Sequence, residues 1–279
     1  MKNLNKKNEF LDGWKSIEHK KTFNIWNRMS KNNFKYIFSS FEENKYLLKY
    51  VNKNKKFSIL DYGCSSGYLK RFLDLNFGKK FDYSGYDISE QSIKLAKHLY
   101  GNDYFLNEDD YQLNTKFKNK KFDVVYSRDT VLHQSDPWKF IDQLVSKVKK
   151  ILILRLRTRN HGETILNTEK SCQLVSGEKW VPYIVLNYQE LIKYLQKFNF
   201  KFIITNRSKT VLGGKNNRFL DKSLYYKNTE GAETSLLASY EENLEEKKFI
   251  ETYNLEGHDF IQKNYFKTTF FKILNRLNI

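Results

Sequence analysis

The residues best placed to do chemistry fall in four short blocks. Ile59-Leu60-Asp61-Tyr62-Gly63-Cys64-Ser65-Ser66-Gly67 joins an apolar run to a turn of small residues, with a carboxylate two positions before the first glycine. Tyr83-Ser84-Gly85-Tyr86-Asp87-Ile88-Ser89 carries a second run into an acid. Asn107-Glu108-Asp109-Asp110-Tyr111-Gln112-Leu113 places an acidic cluster after a third, and Phe122-Asp123-Val124-Val125-Tyr126-Ser127-Arg128 ends a fourth, with His133 shortly after it. The first block reads as strand, tight turn and helix N-terminus, where open N–H groups suit carboxylate, hydroxyl or phosphate. It is neither G-x-G-x-x-G nor G-x-x-x-x-G-K-[ST], so the dinucleotide and P-loop readings fall away. A carboxylate at the end of the strand favours a ligand with a positively charged amine over a pyrophosphate.

These blocks need a frame. Apolar runs at 57–61, 81–87, 103–106, 122–127 and 151–156 predict strands, and the segments between them carry helical spacing. Ser89 is the expected cap of one helix, with Glu90 and Gln91 in its first turn, and Asp136-Pro137 opens another. Such alternation means a parallel sheet covered on both faces. A further helix is expected at 188–198, a strand at 200–206, a turn at Gly213-Gly214 and a last strand at 223–227, the two strands forming a hairpin at one end of the sheet. Residues 31–52 read as one helix with Phe34, Ile37, Phe38, Phe41, Tyr46, Leu47, Leu48 and Val51 inward. Before it, Trp14 and Trp26 anchor one or two helices that pack on the main domain or cover a ligand. The expected organisation is an N-terminal helical extension over 1–55, the main domain over 56–228 with a substrate-side insertion at 157–187, and a C-terminal helical appendage over 229–279. The end of that appendage, 261–279, reads as a basic amphipathic helix that docks on its own domain, lies on an anionic membrane surface or binds a partner protein.

The four blocks, in this order and spacing over roughly residues 57–228, resemble class I S-adenosylmethionine-dependent methyltransferases. The resemblance implies an α/β, Rossmann-like, seven-stranded, mostly parallel sheet and S-adenosyl-L-methionine as cofactor, with S-adenosyl-L-homocysteine as product. In the family pattern a third glycine often stands where Ser65 is. The resemblance places Asp61, Gly63, Cys64 and Gly67 at the amino-acid end of the cofactor, and Asp87 with Ile88 at the ribose, a bidentate carboxylate accepting from both hydroxyls. Asp109, with Asp110 beside it, would take the adenine amine. Ser127 and Arg128 would flank the methyl group. A helix cap for Asp87 and a solvated loop for the acidic cluster are the bland alternatives. Over 122–207 the layout also resembles methyltransferases of bacterial surface-polysaccharide loci, which implies a role in polysaccharide biosynthesis.

On the acceptor side, His133 is a candidate base, taking a proton from a hydroxyl or amine as the methyl moves, or a histidine that merely packs. A base is not obligatory, because positioning drives much of such a transfer. Arg155, Arg157 and Arg159 leave the fifth strand on one side if it continues, with no acid between Asp142 and Glu163. Together with His161 and Tyr183 they suggest a small anionic acceptor such as a sugar phosphate, nucleotide sugar or carboxylate. The alternative is a basic strand end paired with local acids.

Composition trims the remaining classes. The 279 residues are 40% hydrophobic and 16% aromatic, enough for a sizeable core. No run reaches the roughly 18 apolar residues of a membrane span, and the N-terminus lacks the apolar core of a secretory signal. With two cysteines, Cys64 and Cys172, neither a disulfide scaffold nor a structural zinc site is expected, and a cytoplasmic enzyme fits. The net charge of +17 raises nucleic acid as a partner. An RNA methyltransferase is one competing reading; a non-catalytic cofactor-binding subunit is another. The amino-group DNA methylase signature is absent after the fourth strand, and no cysteine follows a proline as the cytosine-C5 enzymes require.

Overall fold

The computed structural model describes Trp14 and residues 26–51, 55–106, 117–175, 179–210, 231–242 and 249–254. Helices α1 (Lys31–Ser40) and α2 (Glu42–Tyr50) lead into the first strand. Then β1 (Phe57–Tyr62), α3 (Tyr68–Phe77), β2 (Phe81–Tyr86), α4 (Glu90–Tyr100), β3 (Phe105–Leu106), β4 (Phe122–Arg128), α5 (Pro137–Ser146) and β5 (Val148–Arg159) alternate. A small hairpin, β6 (Cys172–Val175) with β7 (Lys179–Pro182), fills the insertion. The chain returns through β8 (Leu186–Asn187), α6 (Tyr188–Gln196), β9 (Phe202–Thr210), β10 (Gly231–Ser239) and β11 (Phe249–Asn254).

The main sheet runs β11-β9-β10-β5-β4-β1-β2-β3, with β8 attached to β5. Only β10 runs against its neighbours; β9 and β11 pair in parallel, as do β1, β2, β3, β4 and β5 among themselves. Seven of these strands form the expected mostly parallel sheet, and β8 and β11 extend it.

Strand periodicity divides the core. Ile59, Tyr126, Ile153, Ile204 and Leu237 point to the face packed by α1, α2 and α3, among Phe34, Phe38, Leu47 and Phe72. Leu60, Val125, Leu152 and Leu236 point to the other, among Phe140 and Leu144 of α5 and Leu191 and Leu195 of α6. Ser89 caps α4 by accepting the Ser92 N–H at 3.3 Å, and Asp136 caps α5 by accepting the Lys139 N–H at 3.0 Å, with Pro137 in the first turn.

Three expectations need correction. Residues 31–52 form two helices, because Phe41 is extended (φ −71°, ψ 133°). The break starts α2 at Glu42 and Glu43, acids that suit a helix N-terminus, and it turns Glu43 inward. The appendage expected over 229–279 does not hold for its first part. Residues 231–239 are an inner strand joining β5 to β9, so the partner of β9 in the antiparallel pair is β10. Its Leu236, Leu237 and Ala238 are fully buried, as an inner strand requires. Residues 249–254 add an edge strand within the stretch expected to be a helical appendage. Buried Arg207 of β9 ties that edge down: its guanidinium binds Glu251 at 3.0 Å and lies over the rings of Tyr188 and Tyr253. The expected turn at Gly213-Gly214, the strand at 223–227, the basic helix at 261–279 and the helices around Trp14 lie outside the described residues. Among the described residues no helix is long and apolar enough to cross a membrane.

Candidate active site

At the carboxyl ends of β1, β2 and β4 a cleft of about 260 Å³ is lined by residues of three of the four blocks, among them Gly63, Asp87, Ile88, Arg128, Asp129 and His133. The turn after β1 makes its floor. Gly63 stands at φ +84°, and a Cβ there would come within 2.0 Å of the Thr130 Oγ1. The first N–H groups of this turn do not face the cleft as expected. Those of Gly63 and Cys64 donate to the Tyr86 carbonyl at 2.8 and 2.9 Å, and that of Gly67 to the Cys64 carbonyl at 3.0 Å. The Ser65 N–H donates to Asp87 Oδ2 at 2.8 Å. Ser65 takes φ +50°, the left-handed region that explains why glycine is often found at this position in the family it resembles.

Asp87 therefore has two tasks. Its Oδ1 accepts the Ser89 N–H at 2.8 Å and its Oδ2 the Ser65 N–H, which fixes the carboxylate across the cleft wall. Each carboxylate oxygen has a second lone pair, so acceptor capacity remains. Burial pushes the Asp87 carboxyl up, and the two backbone N–H groups act against that.

Other expected cofactor residues sit behind this surface. Asp61 is 3% exposed and accepts the Tyr83 hydroxyl at 2.6 Å. Burial raises it to about 7 despite that hydrogen bond. It lies just behind the cleft lining and supports the strand end through the Tyr83 hydroxyl. Cys64 is a buried thiol, pushed up by burial, and Gly67 packs against the Phe105 and Tyr100 rings at 2.9 Å from where a Cβ would stand. Ser127 is buried and its hydroxyl donates to the Tyr62 carbonyl at 2.9 Å, tying β4 to β1. Asp109 and Asp110 lie outside the described residues.

The end of β4 leads into a compact charge cluster. Asp129 has φ +56° and donates its N–H to the Arg155 carbonyl at 2.8 Å. Its carboxylate pairs with Arg155 and with Arg157, the latter at 3.0 Å. Glu233 of β10 pairs with the same two arginines at 2.7 and 2.9 Å. Glu43 of α2, 1% exposed, approaches Arg128 at 2.8 Å and Arg155 at 3.8 Å. Burial alone would raise the Asp129 carboxyl; the guanidinium groups of Arg155, Arg157 and Arg128 outweigh it and hold the carboxyl below its ordinary value. Alternation along β5 does put Arg155, Arg157 and Arg159 on one side, but they do not form a bare anion site. The carboxylates of Asp129, Glu233 and Glu43 balance Arg128, Arg155 and Arg157 one for one. Arg159 turns away and donates from Nε to the carbonyl of exposed His161. Glu43 was missed because an acid between helix-forming residues looks solvated. Its one signal is the spacing to inward Tyr46 and Leu47, three and four residues on.

His133 ends a short 3-10 turn, Val131–His133. Its Nδ1 lies 2.8 Å from the Pro182 carbonyl of β7. A carbonyl only accepts, so Nδ1 carries the proton and Nε2 is the basic nitrogen of the neutral ring. The ring centroid lies 4.6 Å from that of Trp14, with the planes tilted by 55°, and 6.2 Å from that of Tyr183 in an edge-on contact. The insertion thus reaches the cleft edge through β7 and sets Tyr183 beside His133.

A family model described as a methyltransferase domain matches residues 29–204. Among solved structures, the N-terminal domain of EvdMO1, solved with SAH bound, superposes with a TM-score of 0.50 at 13% identity, over 73% of this chain and 83% of that one. The plantazolicin methyltransferase BpumL in complex with SAH gives 0.49 at 18% identity, over 84% and 95%. A SAM-dependent methyltransferase from Archaeoglobus fulgidus gives 0.48 at 16% identity, over 80% and 100%. The likeness to the EvdMO1 domain is one of fold. No curated protein matches the sequence.

Proposed function

This chain belongs to the methyltransferase-domain family, and we propose that it transfers the methyl group of S-adenosylmethionine to an oxygen or nitrogen of a small molecule. The observation that carries this reading is Asp87, fixed by two backbone N–H groups at the edge of a cleft whose floor needs the missing Cβ of Gly63. A carboxylate that keeps acceptor capacity suits a ribose diol. The missing Cβ at Gly63 leaves room for the Thr130 side chain, which packs the turn against the end of β4 and shapes the cleft beside Asp87. The residues present therefore fit the cofactor.

When bound, the cofactor supplies an electrophilic methyl on a sulfonium. Asp87 would hold its ribose and Ile88 cover one side of it. Arg128, Asp129 and Thr130 close the cleft where β4 ends. Transfer by in-line attack relies mainly on positioning. His133, oriented by Pro182, has Nε2 as the nitrogen that takes the acceptor's proton. The balanced charges of the arginine cluster favour a neutral acceptor over an anionic one, which departs from the expectation raised by the arginines alone.

The test is thermal unfolding with S-adenosylmethionine and S-adenosylhomocysteine. Both should raise the melting temperature, since a ligand of the native state stabilises by mass action. An unmoved transition at millimolar ligand rejects the reading.

A further inference from the structure

The sheet face that packs α2 changes character within one layer. Ile153, Leu237, Ile204 and Ile250 form an apolar row across β5, β10, β9 and β11. The next row on the same face is Arg155, Ser235, Asn206 and Thr252. The one after it is Arg157, Glu233, Ser208 and Asn254. Strands stand about 4.8 Å apart, so these rows make a grid of hydrogen-bonding groups.

This polar patch is partly sheltered: Ser208 and Ser235 are buried, whereas Thr252 on the edge strand is exposed. The corner between α1 and α2 lies above it, and a second cavity of about 290 Å³, partly open to solvent, lies between them, lined also by Phe41, Glu42 and Lys45. Several lining groups satisfy one another: Ser235 donates to Glu43 at 2.9 Å, and Lys45 pairs with Glu42. Ser208 is 9% exposed and faces this cavity, and its side chain has no hydrogen-bond partner among the described residues. The side chains of part-exposed Asn206 and exposed Thr252, in the neighbouring row, likewise have none among the described residues. Side chains that pair with nothing among the described residues offer their hydrogen bonds to an occupant of the cavity.

Its chemistry follows from the lining. Hydroxyls and an amide both donate and accept, and carboxylates accept. Lys45 and Arg155 already face carboxylates, which leaves no cation for a phosphate. The cavity also borders the cofactor cleft. Arg155 lines this cavity, and its ion-pair partner Asp129 lines the cleft.

Building on the methyltransferase reading, we propose that this cavity binds the methyl acceptor and that the acceptor is a neutral polyhydroxylated molecule of the sugar type. Hydroxyls of the bound molecule pair with Ser208, Asn206 and Thr252. The part that projects past Arg155 meets Asp129 at the cleft.

Saturation-transfer NMR on the full chain with S-adenosylhomocysteine tests this, with neutral hexoses, hexosamines and their 6-phosphates as probes. Expected are signals from the unphosphorylated sugars, at least fivefold weaker in Asn206→Ala/Ser208→Ala. Thr252→Val, at an exposed edge position, should weaken them as well and guards against a folding defect in the double variant. No signal from any sugar, equal signals in the variants, or binding of the phosphates alone overturns the proposal. The thermal shift of wild type with S-adenosylhomocysteine is read separately: its absence removes the methyltransferase reading, whereas a shift without sugar contact removes only this inference.

Discussion

Asp87 Oδ2 accepts the backbone N–H of Ser65 at 2.8 Å, so the acid that follows β2 holds the turn that follows β1. One carboxylate both builds the cradle and presents oxygens to the cleft. Asp87→Ala should abolish the stabilisation by S-adenosylhomocysteine, which for wild type is about 2.7 kcal/mol at a hundred times Kd. It should also lower the ligand-free stability by about 1–3 kcal/mol, through the loss of acceptors for two backbone N–H groups. Thermal melts with and without ligand check both. A full ligand shift in the variant is incompatible with Asp87 as the ribose acceptor.

Gly63→Ala should be worse than an ordinary glycine replacement. The left-handed backbone costs about 1–2 kcal/mol for a residue with a Cβ, and here that Cβ also meets Thr130 Oγ1 at 2.0 Å. Thr130 must swing away, losing its hydrogen bonds to the Tyr62 and Arg128 carbonyls. Urea unfolding should show a loss above about 2 kcal/mol, together with weakened ligand binding. A variant as stable as wild type means the turn differs from the one described.

Stability should fall with rising pH through Asp61. Its carboxyl is raised from 3.8 to about 7 in the folded chain. Between those values the folded state holds the proton and the unfolded state does not, so unfolding becomes easier as pH climbs, and the effect levels off above about 7. Full ionisation costs on the order of 4 kcal/mol, at roughly 1.4 kcal/mol per pH unit. Asp61→Asn keeps an acceptor for the Tyr83 hydroxyl and removes the titration. The variant should match wild type near pH 4 and exceed it at pH 8 in urea unfolding. Parallel pH profiles contradict this.

Arg155 is a keystone of the charge cluster. Burial works against its charge, but Asp129, Glu233 and Glu43 outweigh that and raise it. Arg155→Met leaves three carboxylates facing two arginines and should cost about 3–5 kcal/mol. Adding Glu233→Gln should recover part of the loss, a coupling that a double-mutant cycle measures. Additive effects of the two changes refute the cluster as a unit.

Much of this was written locally. The strand ending at Asp61, the turn with Gly63, the acid Asp87 and the caps Ser89 and Asp136 depend on neighbours within a few residues, and they lie in the described structure about where their patterns put them. The break at Phe41 and the strand at 231–239 were not legible. Helical spacing runs on through Phe41, and β10 is recognisable as a strand only once β5 and β9 stand on either side of it.

The sequence by itself determined the alternating elements, the cradle and the order of the blocks, because periodicity, capping and turn chemistry act over short range. Tertiary structure decided what the arginines mean. Residues 155 and 157 look like a bare basic strip along the chain. Their counter-charges, Glu43, Asp129 and Glu233, come from an earlier helix, the end of another strand and an antiparallel strand. Charge compensation depends on distance in space, and only the folded sheet brings those carboxylates within reach.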